Sequence, residues 1–498
     1  MQSTANSYVY LGLVALCLGI INNVLFYERG IGLNVPIFTI SIIVGGVVLL
    51  YQFGRHLERR SVMLFLVPTV LFSSMVFLRS SDLLTLFNIL ASVLLLLIFV
   101  SSFVGKSFHT YLPADYLKIF ILPLKFLKSL LDVYPKIFSF RKVAEASAVT
   151  REVLRGSLLA IAAIVAFSFL FASADDVFRS FIPDLLQFKL NAELVNRFCI
   201  LVFTTAALIG AFGYMFNSVG VSSSSPLIPK ERKFGAIETT ILLGAVNALF
   251  LVFILLQLTY LFGGESRVAA LGITYADYAR KGFFELILAA ILSFIIISAA
   301  EKRVIKKEES HTRSFKILSI VLILQVVLVL ASAFTRLVLY ENAYGFTDIR
   351  LYSHALMIWI GLVLALLAYH ILSNGKYEAF AHRVFLLAIL FLFGMNILNP
   401  EAFIARHNIR RYENTGKLDT AYLAHLSDDA LPETIALLDN PDEKIRNPFA
   451  KELYWARNYG NRNDTDWASL RLPRIKAQKL IAPKRAQLEA NKDILTAN

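Results

Sequence analysis

Charge is scarce in this sequence: 17% of its 498 residues are Asp, Glu, Lys or Arg, against about 25% in an average soluble domain. That shortage, with 57% apolar or aromatic residues and a mean hydropathy of +0.63, excludes a soluble multidomain enzyme and a disordered chain. Cysteine is scarcer still. Cys17 and Cys199 alone exclude a disulfide scaffold and a thiolate metal site. Both are expected to be buried packing residues, at depths too different to bridge. The chain lacks a Gly-x-x-x-x-Gly-Lys-Ser/Thr phosphate loop, a strand-borne Gly-x-Gly-x-x-Gly, a Gly-x-Ser-x-Gly elbow and His-Glu-x-x-His. Its eight histidines are scattered, with no pair at metal-ligand spacing. These absences weigh against a nucleotide-driven pump and a metalloenzyme, so no cofactor and no metal are expected.

Long apolar runs are what the chain has instead. A hydrocarbon core of about 30 Å needs roughly 20 apolar residues per helix. Candidate spans lie at 8–26, 31–53, 62–78, 83–104, 157–173, 198–216, 237–262, 282–300, 317–340, 351–372 and 384–398. A backbone facing lipid must satisfy its own hydrogen bonds. The fold class is therefore all-α: a polytopic transmembrane bundle of about eleven spans with a small helical C-terminal domain. The first span, with no basic residues before it and no cleavage site after it, reads as a retained anchor. The last reaches only about 22 Å at 1.5 Å per residue and would need Arg383 and His382 as snorkelling flanks.

Basic residues in the loops set the orientation. Loops 54–61, 105–156, 217–236, 301–316 and 373–383 carry 23 Lys and Arg, and the alternate loops carry 9. The N-terminus is thus expected in the cytoplasm and the tail from Asn399 outside. The net charge of +13 is mostly this bias; the tail, with 16 basic and 14 acidic residues, is nearly neutral. No nucleic-acid partner is implied. Four parts follow: spans at 1–104, a cytoplasmic interfacial segment at 105–156, a seven-helix core at 157–398 and an extracytoplasmic helical domain at 399–498.

Between Tyr116 and Phe140, Lys118, Lys125, Lys128, Asp132 and Lys136 recur at helical spacing against Phe120, Ile121, Leu124, Phe126, Leu127, Leu130 and Leu131. Such a basic amphipathic helix is expected to lie in the interface on anionic headgroups, broken by Pro123 and Pro135 into short pieces. The alternative is a re-entrant or linker segment packed on neighbouring spans. In the tail, Asp419–Leu426 and Ser427–Leu438 suggest two short helices, with Ser427 as an N-cap. A polar loop at 456–466 and a longer helical pattern from Trp467 toward Glu489, interrupted by Pro473 and Pro483, follow.

Polar residues gather at the ends of the later spans. The string Tyr275-Ala-Asp-Tyr-Ala-Arg-Lys-Gly-Phe-Phe-Glu285 precedes the eighth span, and Arg336-Leu-Val-Leu-Tyr-Glu-Asn-Ala-Tyr-Gly-Phe-Thr-Asp-Ile-Arg350 joins the ninth to the tenth. With Tyr260-Leu-Phe-Gly-Gly264 and Asn399-Pro-Glu-Ala-Phe-Ile-Ala-Arg-His-Asn-Ile409, these resemble a bacterial multi-pass inner-membrane family known only as a domain of unknown function, over roughly 150–430. Leucine is expected in related sequences where Phe346 stands. The resemblance implies architecture and bacterial inner-membrane location, and no activity.

Glu285, Arg336 and His354 fall at one depth, about 5–6 Å below the outer boundary. Ionisable groups within spans are costly and are usually paired or face a wet cavity. The functional reading is a Glu285–Arg336 pair flanked by His354 and capped by Tyr340, Tyr344 and Arg350, suited to an anionic headgroup or a proton-linked ligand. The structural reading is that each residue snorkels or makes one interhelical bond. Asp277 with Arg280 and Lys281 reads as a local surface pair. Asp175-Asp176 reads as a helix-end turn, or as a cation site of a membrane transferase. Asn22, Asn23, Gln257 and Gln325 are expected to bond between helices. Three functions stay open. The first is an anionic or lipid-like ligand bound or transported at the outer face of spans seven to ten. The others are a transferase acting on a lipid-linked substrate, and an envelope scaffold recruiting a protein partner through the tail.

Overall fold

The computed structural model describes residues 2–54, 63–105, 108–137, 160, 164, 167, 171, 192–217, 235–261, 283–303, 309–458, 466–485 and 488. Among them every regular element is a helix. The membrane portion comprises α1 (Gln2–Phe26), α2 (Asn34–Gln52), α3 (Leu66–Leu78), α4 (Asp82–Val104), α5 (Pro113–Ile119), α6 (Leu122–Ile137), α7 (Ala192–Asn217), α8 (Ala236–Leu261), α9 (Phe283–Arg303), α10 (Glu309–Tyr344), α11 (Asp348–Ser373) and α12 (Tyr377–Leu398). The tail adds α13 (Pro400–Thr415), α14 (Thr420–His425), α15 (Leu431–Thr434), α16 (Glu443–Asn458) and α17 (Leu472–Ile481).

Eight helices among the described residues, α1, α2, α4, α7, α8, α10, α11 and α12, are long and apolar enough to cross a membrane. Their large aliphatic side chains point outward as readily as inward: Ile241, Leu249 and Leu390 are 65%, 68% and 65% exposed. Soluble proteins avoid such continuous apolar surface; in lipid it costs nothing. Of the remaining expected spans, 62–78 corresponds to the 13-residue apolar α3 and 282–300 to α9. The one at 157–173 falls almost wholly outside the described residues.

The short last span is corrected. Helix α12 starts at Tyr377 and has 22 residues, about 33 Å at 1.5 Å per residue. The hydropathy pattern hid its first turns because Glu378, His382 and Arg383 sit in them. Asn399 then takes a left-handed conformation (φ 53°) that ends α12, and Pro400 opens α13. Pro is favoured at this first helical position because its missing N–H has no partner to lose.

Among the described residues, two large apolar cores build most of the membrane portion. In one, Leu11 and Ala15 of α1, Leu49 of α2, Phe99 of α4, Val133 of α6 and Met215 of α7 meet. In the other, Leu243 of α8, Ile297 of α9, Leu322 and Val326 of α10, Leu364 of α11 and Phe380 of α12 meet. Buried amides of Asn88 on α4 and Asn396 on α12, each donating to the other's carbonyl at 2.8 Å, help join them. Interhelical bonding holds as expected for Asn22 (to Thr204 Oγ1, 3.0 Å), Asn23 (to the Arg197 carbonyl, 2.7 Å) and Gln325 (to the Asn247 carbonyl, 3.2 Å).

Helix α6 departs from the expected broken interfacial piece. The stretch does break between α5 and α6, just before Pro123, which is the second residue of α6, but Pro135 lies in the last turn of α6 and does not interrupt it. Leu122, Ser129, Val133 and Ile137 are buried, and the helix packs along α1 and α7. The approach is close: a Cβ on Gly210 would sit 2.5 Å from the Phe126 carbonyl oxygen. The opposite flank, with Leu124, Leu127 and Leu131, is exposed, as are Leu117 of α5 and Phe120 and Ile121 between the two helices. Lys118 pairs with Asp115 at 2.7 Å, and Lys136 reaches Asn217 and the Tyr8 ring, while Lys125 and Lys128 are exposed. Cys17 and Cys199 are free, but Cys17 is exposed and Cys199 half-buried. The expectation of buried packing fails because α1 turns Cys17 away from its neighbours.

The tail folds around Ile404, Leu423, Leu438, Phe449, Leu453 and Ala477, and Leu351 of α11 belongs to the same core. It also covers the connections at one end of the bundle. Arg29 pairs with Asp466 at 2.6 Å, the Leu33 amide donates to the Leu470 carbonyl, and Arg471 donates to the carbonyls of Ile31 and Ser80. These loops, 27–30 and 79–82, and the α10–α11 connection all belong to the basic-poor set. The cap of α14 is Asp419, which accepts from the Tyr422 amide; Ser427 lies in the turn between α14 and α15 and caps neither. Residues 456–458 continue α16, and the helical pattern after Trp467 is split into α17 flanked by two 3-10 turns.

Candidate functional site

The site forms where α10 turns into α11. Gly345 ends α10 with φ +84°, a left-handed value that costs a side-chain-bearing residue about 1–2 kcal/mol. Thr347, extended, opens α11, and Asp348 stands in its first turn where the helix dipole favours an acid. Three residues thus reverse the chain and set the first two turns of α11 against the last two of α10.

His354 and Glu341 meet across that seam. The ring Nε2 lies 3.0 Å from Glu341 Oε2, and the ring edge rests on Phe334 with centroids 4.1 Å apart. Glu341 is 2% exposed and His354 7%. The second carboxylate oxygen, Oε1, and the ring Nδ1 are buried without a hydrogen-bond partner among the described residues. Outside this pair, the Arg350 guanidinium lies 4.0 Å over the Tyr340 ring and donates to the Gly345 carbonyl, and the Tyr340 and Tyr344 rings meet at a tilt with centroids 5.1 Å apart. The structure therefore gathers Tyr340, Tyr344, Arg350 and His354 at one corner. Arg336 is half-buried one turn below Tyr340 on α10, and Glu285 is exposed in the first turn of α9.

The carboxylate facing His354 is thus Glu341, which the sequence reading passed over. One signal pointed to it: Val326, Leu330, Ala333 and Leu337 form the buried stripe of α10, and Glu341 is its next position at helical spacing. A second buried pair was missed likewise. His370 Nε2 on α11 lies 3.0 Å from Glu301 Oε1 on α9, with side chains 0% and 7% exposed. Glu301 had been counted as a loop residue. Asp175, Asp176 and the Asp277, Arg280 and Lys281 group lie outside the described residues. Among the described residues no three His, Cys, Asp or Glu side chains converge as a metal would require.

Helix α13 clamps this corner. The Asn408 side chain accepts from the Phe346 amide at 2.7 Å and donates to the Phe346 carbonyl at 2.9 Å. Arg411 donates to the Asn342 and Ala343 carbonyls at 2.9 and 2.5 Å, capping carbonyls that a helix end leaves open. A Cβ at Gly345 would stand 2.7 Å from Asn408 Oδ1, so the clamp also requires glycine there. Phe346 packs on Phe403 and His407, which stack at 3.8 Å, and Tyr422 Oη donates to Asp348 at 3.0 Å. The two strings 344–350 and 399–409 are therefore the two halves of one joint.

Acidic side chains fasten the rest of the tail. Asp429 accepts from the amides of Ser80 and Ser81 at 2.5 and 3.3 Å, at the start of α4. Glu401 accepts from the Ser427 amide. Burial pushes the Glu401 carboxyl above its ordinary value, with its Ser427 bonds opposing and the Asp348 charge adding to the rise. Burial, then the Asp348 charge, likewise raises the Tyr422 phenol. A carboxyl whose pKa is raised on folding is better tolerated protonated. The docked tail therefore loses stability as pH rises from the unfolded carboxylate range through the raised native value. Glu401→Gln, which keeps an acceptor for the Ser427 amide, is expected to stabilise tail docking at neutral pH and flatten this dependence. Thermal melts across the acid-to-neutral range check it; unchanged pH dependence counts against a desolvated Glu401.

No curated protein and no solved structure matches the chain. Residues 66–437 match a family described as Domain of unknown function (DUF4153), which extends the resemblance over roughly 150–430 toward the N-terminus and includes the α10–α11 corner and α13. With about three quarters of its length inside that match, the chain belongs to the DUF4153 family.

Proposed function

We propose that this integral membrane protein resides in the bacterial inner membrane and binds or transports an anionic or lipid-like ligand at the α10–α11 end of its bundle. The N-terminus lies in the cytoplasm and the tail outside. The orientation rests on the 23-to-9 bias of basic residues between alternate loops, and on the docking of the tail against basic-poor connections. The carrying observation for the ligand is the Glu341–His354 pair, buried yet retaining an open acceptor and an open ring nitrogen, with Arg336 and Arg350 on the same two helices. Unused hydrogen-bonding capacity in a buried pair is costly, and a ligand would repay it. On the opposite side, the exposed apolar flank of α6 with Lys125 and Lys128 fits anionic headgroups.

The test is a thermal melt of the purified full chain in detergent with added phosphatidylglycerol or phosphatidylcholine. Phosphatidylglycerol is expected to raise the melting temperature of the wild type and of a Lys125→Gln/Lys128→Gln variant, and to do so less for Arg336→Gln. An equal response to both lipids, or no difference on replacing Arg336, would remove the ligand site and leave the scaffold reading.

A further inference from the structure

The two buried histidine–carboxylate pairs found among the described residues of the membrane portion involve the same helix. His354 and His370 stand sixteen residues apart on α11, about 24 Å at 1.5 Å per residue, one toward each end of a 26-residue helix. Each takes its carboxylate from a different neighbour: Glu341 from α10 and Glu301 from α9. The charged and titratable groups that flank the first pair along its two helices are Arg336, Tyr340 and Tyr344 of α10 and Asp348, Arg350 and Tyr352 of α11. Around the second they are Lys316 of α10, whose Nζ donates to the Leu372 carbonyl at 3.4 Å, and Tyr377 of α12, whose ring edge meets His370 at 5.2 Å. Between the pairs the buried face of α11 carries Met357, Ile360, Leu364 and Leu367, none of which can hold a proton.

Charge balance fixes how such a pair is occupied. With no proton it is a buried anion, with two it is a buried cation, and with one it is neutral whichever partner holds the proton. Isolated charge is expensive away from water, and the proton of a strongly interacting pair belongs to the pair and not to either residue. We infer that α11 carries two proton-binding sites, Glu341–His354 at one end, where ring and carboxylate are hydrogen-bonded, and Glu301–His370 at the other, where they meet as a close ion pair, each loaded with a single proton at rest. Because the stretch between them is apolar, each exchanges its proton with the solution at its own end. The inference needs no knowledge of the ligand.

The experiment is 15N nuclear magnetic resonance of histidine-labelled full-length protein in phosphatidylcholine nanodiscs, titrated from about pH 5.5 to 8, a range in which a free imidazole with pKa about 6.5 changes charge. Two ring signals are expected to keep constant chemical shifts throughout, the one from the hydrogen-bonded His354 carrying a shared-proton signature. Glu341→Gln should convert one of them, assigned to His354 by loss in His354→Gln, into a neutral ring across the range, leaving the other unchanged. Glu301→Gln should do the reverse at His370. The conservative Glu341→Asp and Glu301→Asp variants should retain the constant shifts, which separates proton binding from loss of fold should a glutamine variant misfold. Wild-type rings that both titrate near 6.5, or signals indifferent to replacement of either glutamate, would overturn the inference.

Discussion

Asn408→Ala is expected to release the α10–α11 corner from the tail at a cost of about 2–4 kcal/mol. The Asn408 side chain makes two bonds to the backbone of Phe346. A peptide group stripped of its partner away from water costs about 1–3 kcal/mol. Phe346 is half-buried, so the lower part of that range applies to each group. Asn408→Asp retains the acceptor for the Phe346 amide and loses the donor, and should cost about half as much. Hydrogen exchange should report the change locally, with the Phe346 amide losing protection in the alanine variant and keeping it in the aspartate variant. A melting temperature and a Phe346 exchange rate equal to wild type in Asn408→Ala would show that the corner stands without the clamp. The remaining contacts, Arg411 on the end of α10 and Tyr422 on Asp348, keep the tail attached, so the loss is partial and not an unfolding of the domain.

The apolar runs of the sequence made the helices legible, because a span must be apolar along its length whatever it packs against. Its ends were less so. Helix α12 gains seven residues beyond the expected span because Glu378, His382 and Arg383 are tolerated where the chain leaves lipid. Pro135 was expected to break α6, yet it stands only two residues from the helix end, so the bond it forfeits ends α6 soon after and does not divide it. The tail looked separate because its composition is that of a soluble domain. Its contact with Ser80, Ser81, Leu33 and Ile31 depends on residues hundreds of positions apart, which periodicity does not report. The candidate site shows the same division. Tyr340, Tyr344, Arg350 and His354 were recognisable as polar residues at span ends. Their partners Glu341 and Asn408 were not, since pairing depends on rotation about the helix axis and on a tail helix some sixty residues away.

Breaking the Glu341–His354 pair is expected to have the largest effect of any single change in the membrane portion. Glu341→Gln leaves His354 buried without its carboxylate, and His354→Gln leaves the carboxylate buried without its histidine. Leaving the carboxylate uncompensated in His354→Gln costs about 3–5 kcal/mol, and leaving a neutral ring without its carboxylate in Glu341→Gln costs about 1–3 kcal/mol. The double variant, with two neutral amides able to bond one another, should cost clearly less than the sum. Glu285→Gln, on an exposed residue, should change stability by well under 1 kcal/mol, as surface charges do. The decisive measurement is the coupling free energy of the Glu341→Gln/His354→Gln cycle, read from denaturant unfolding of the full chain in detergent. Non-additivity of at least about 2 kcal/mol, with the double variant the more stable than the summed singles imply, is the predicted result; small additive effects of well under 1 kcal/mol would contradict a buried histidine–carboxylate pair at the α10–α11 corner.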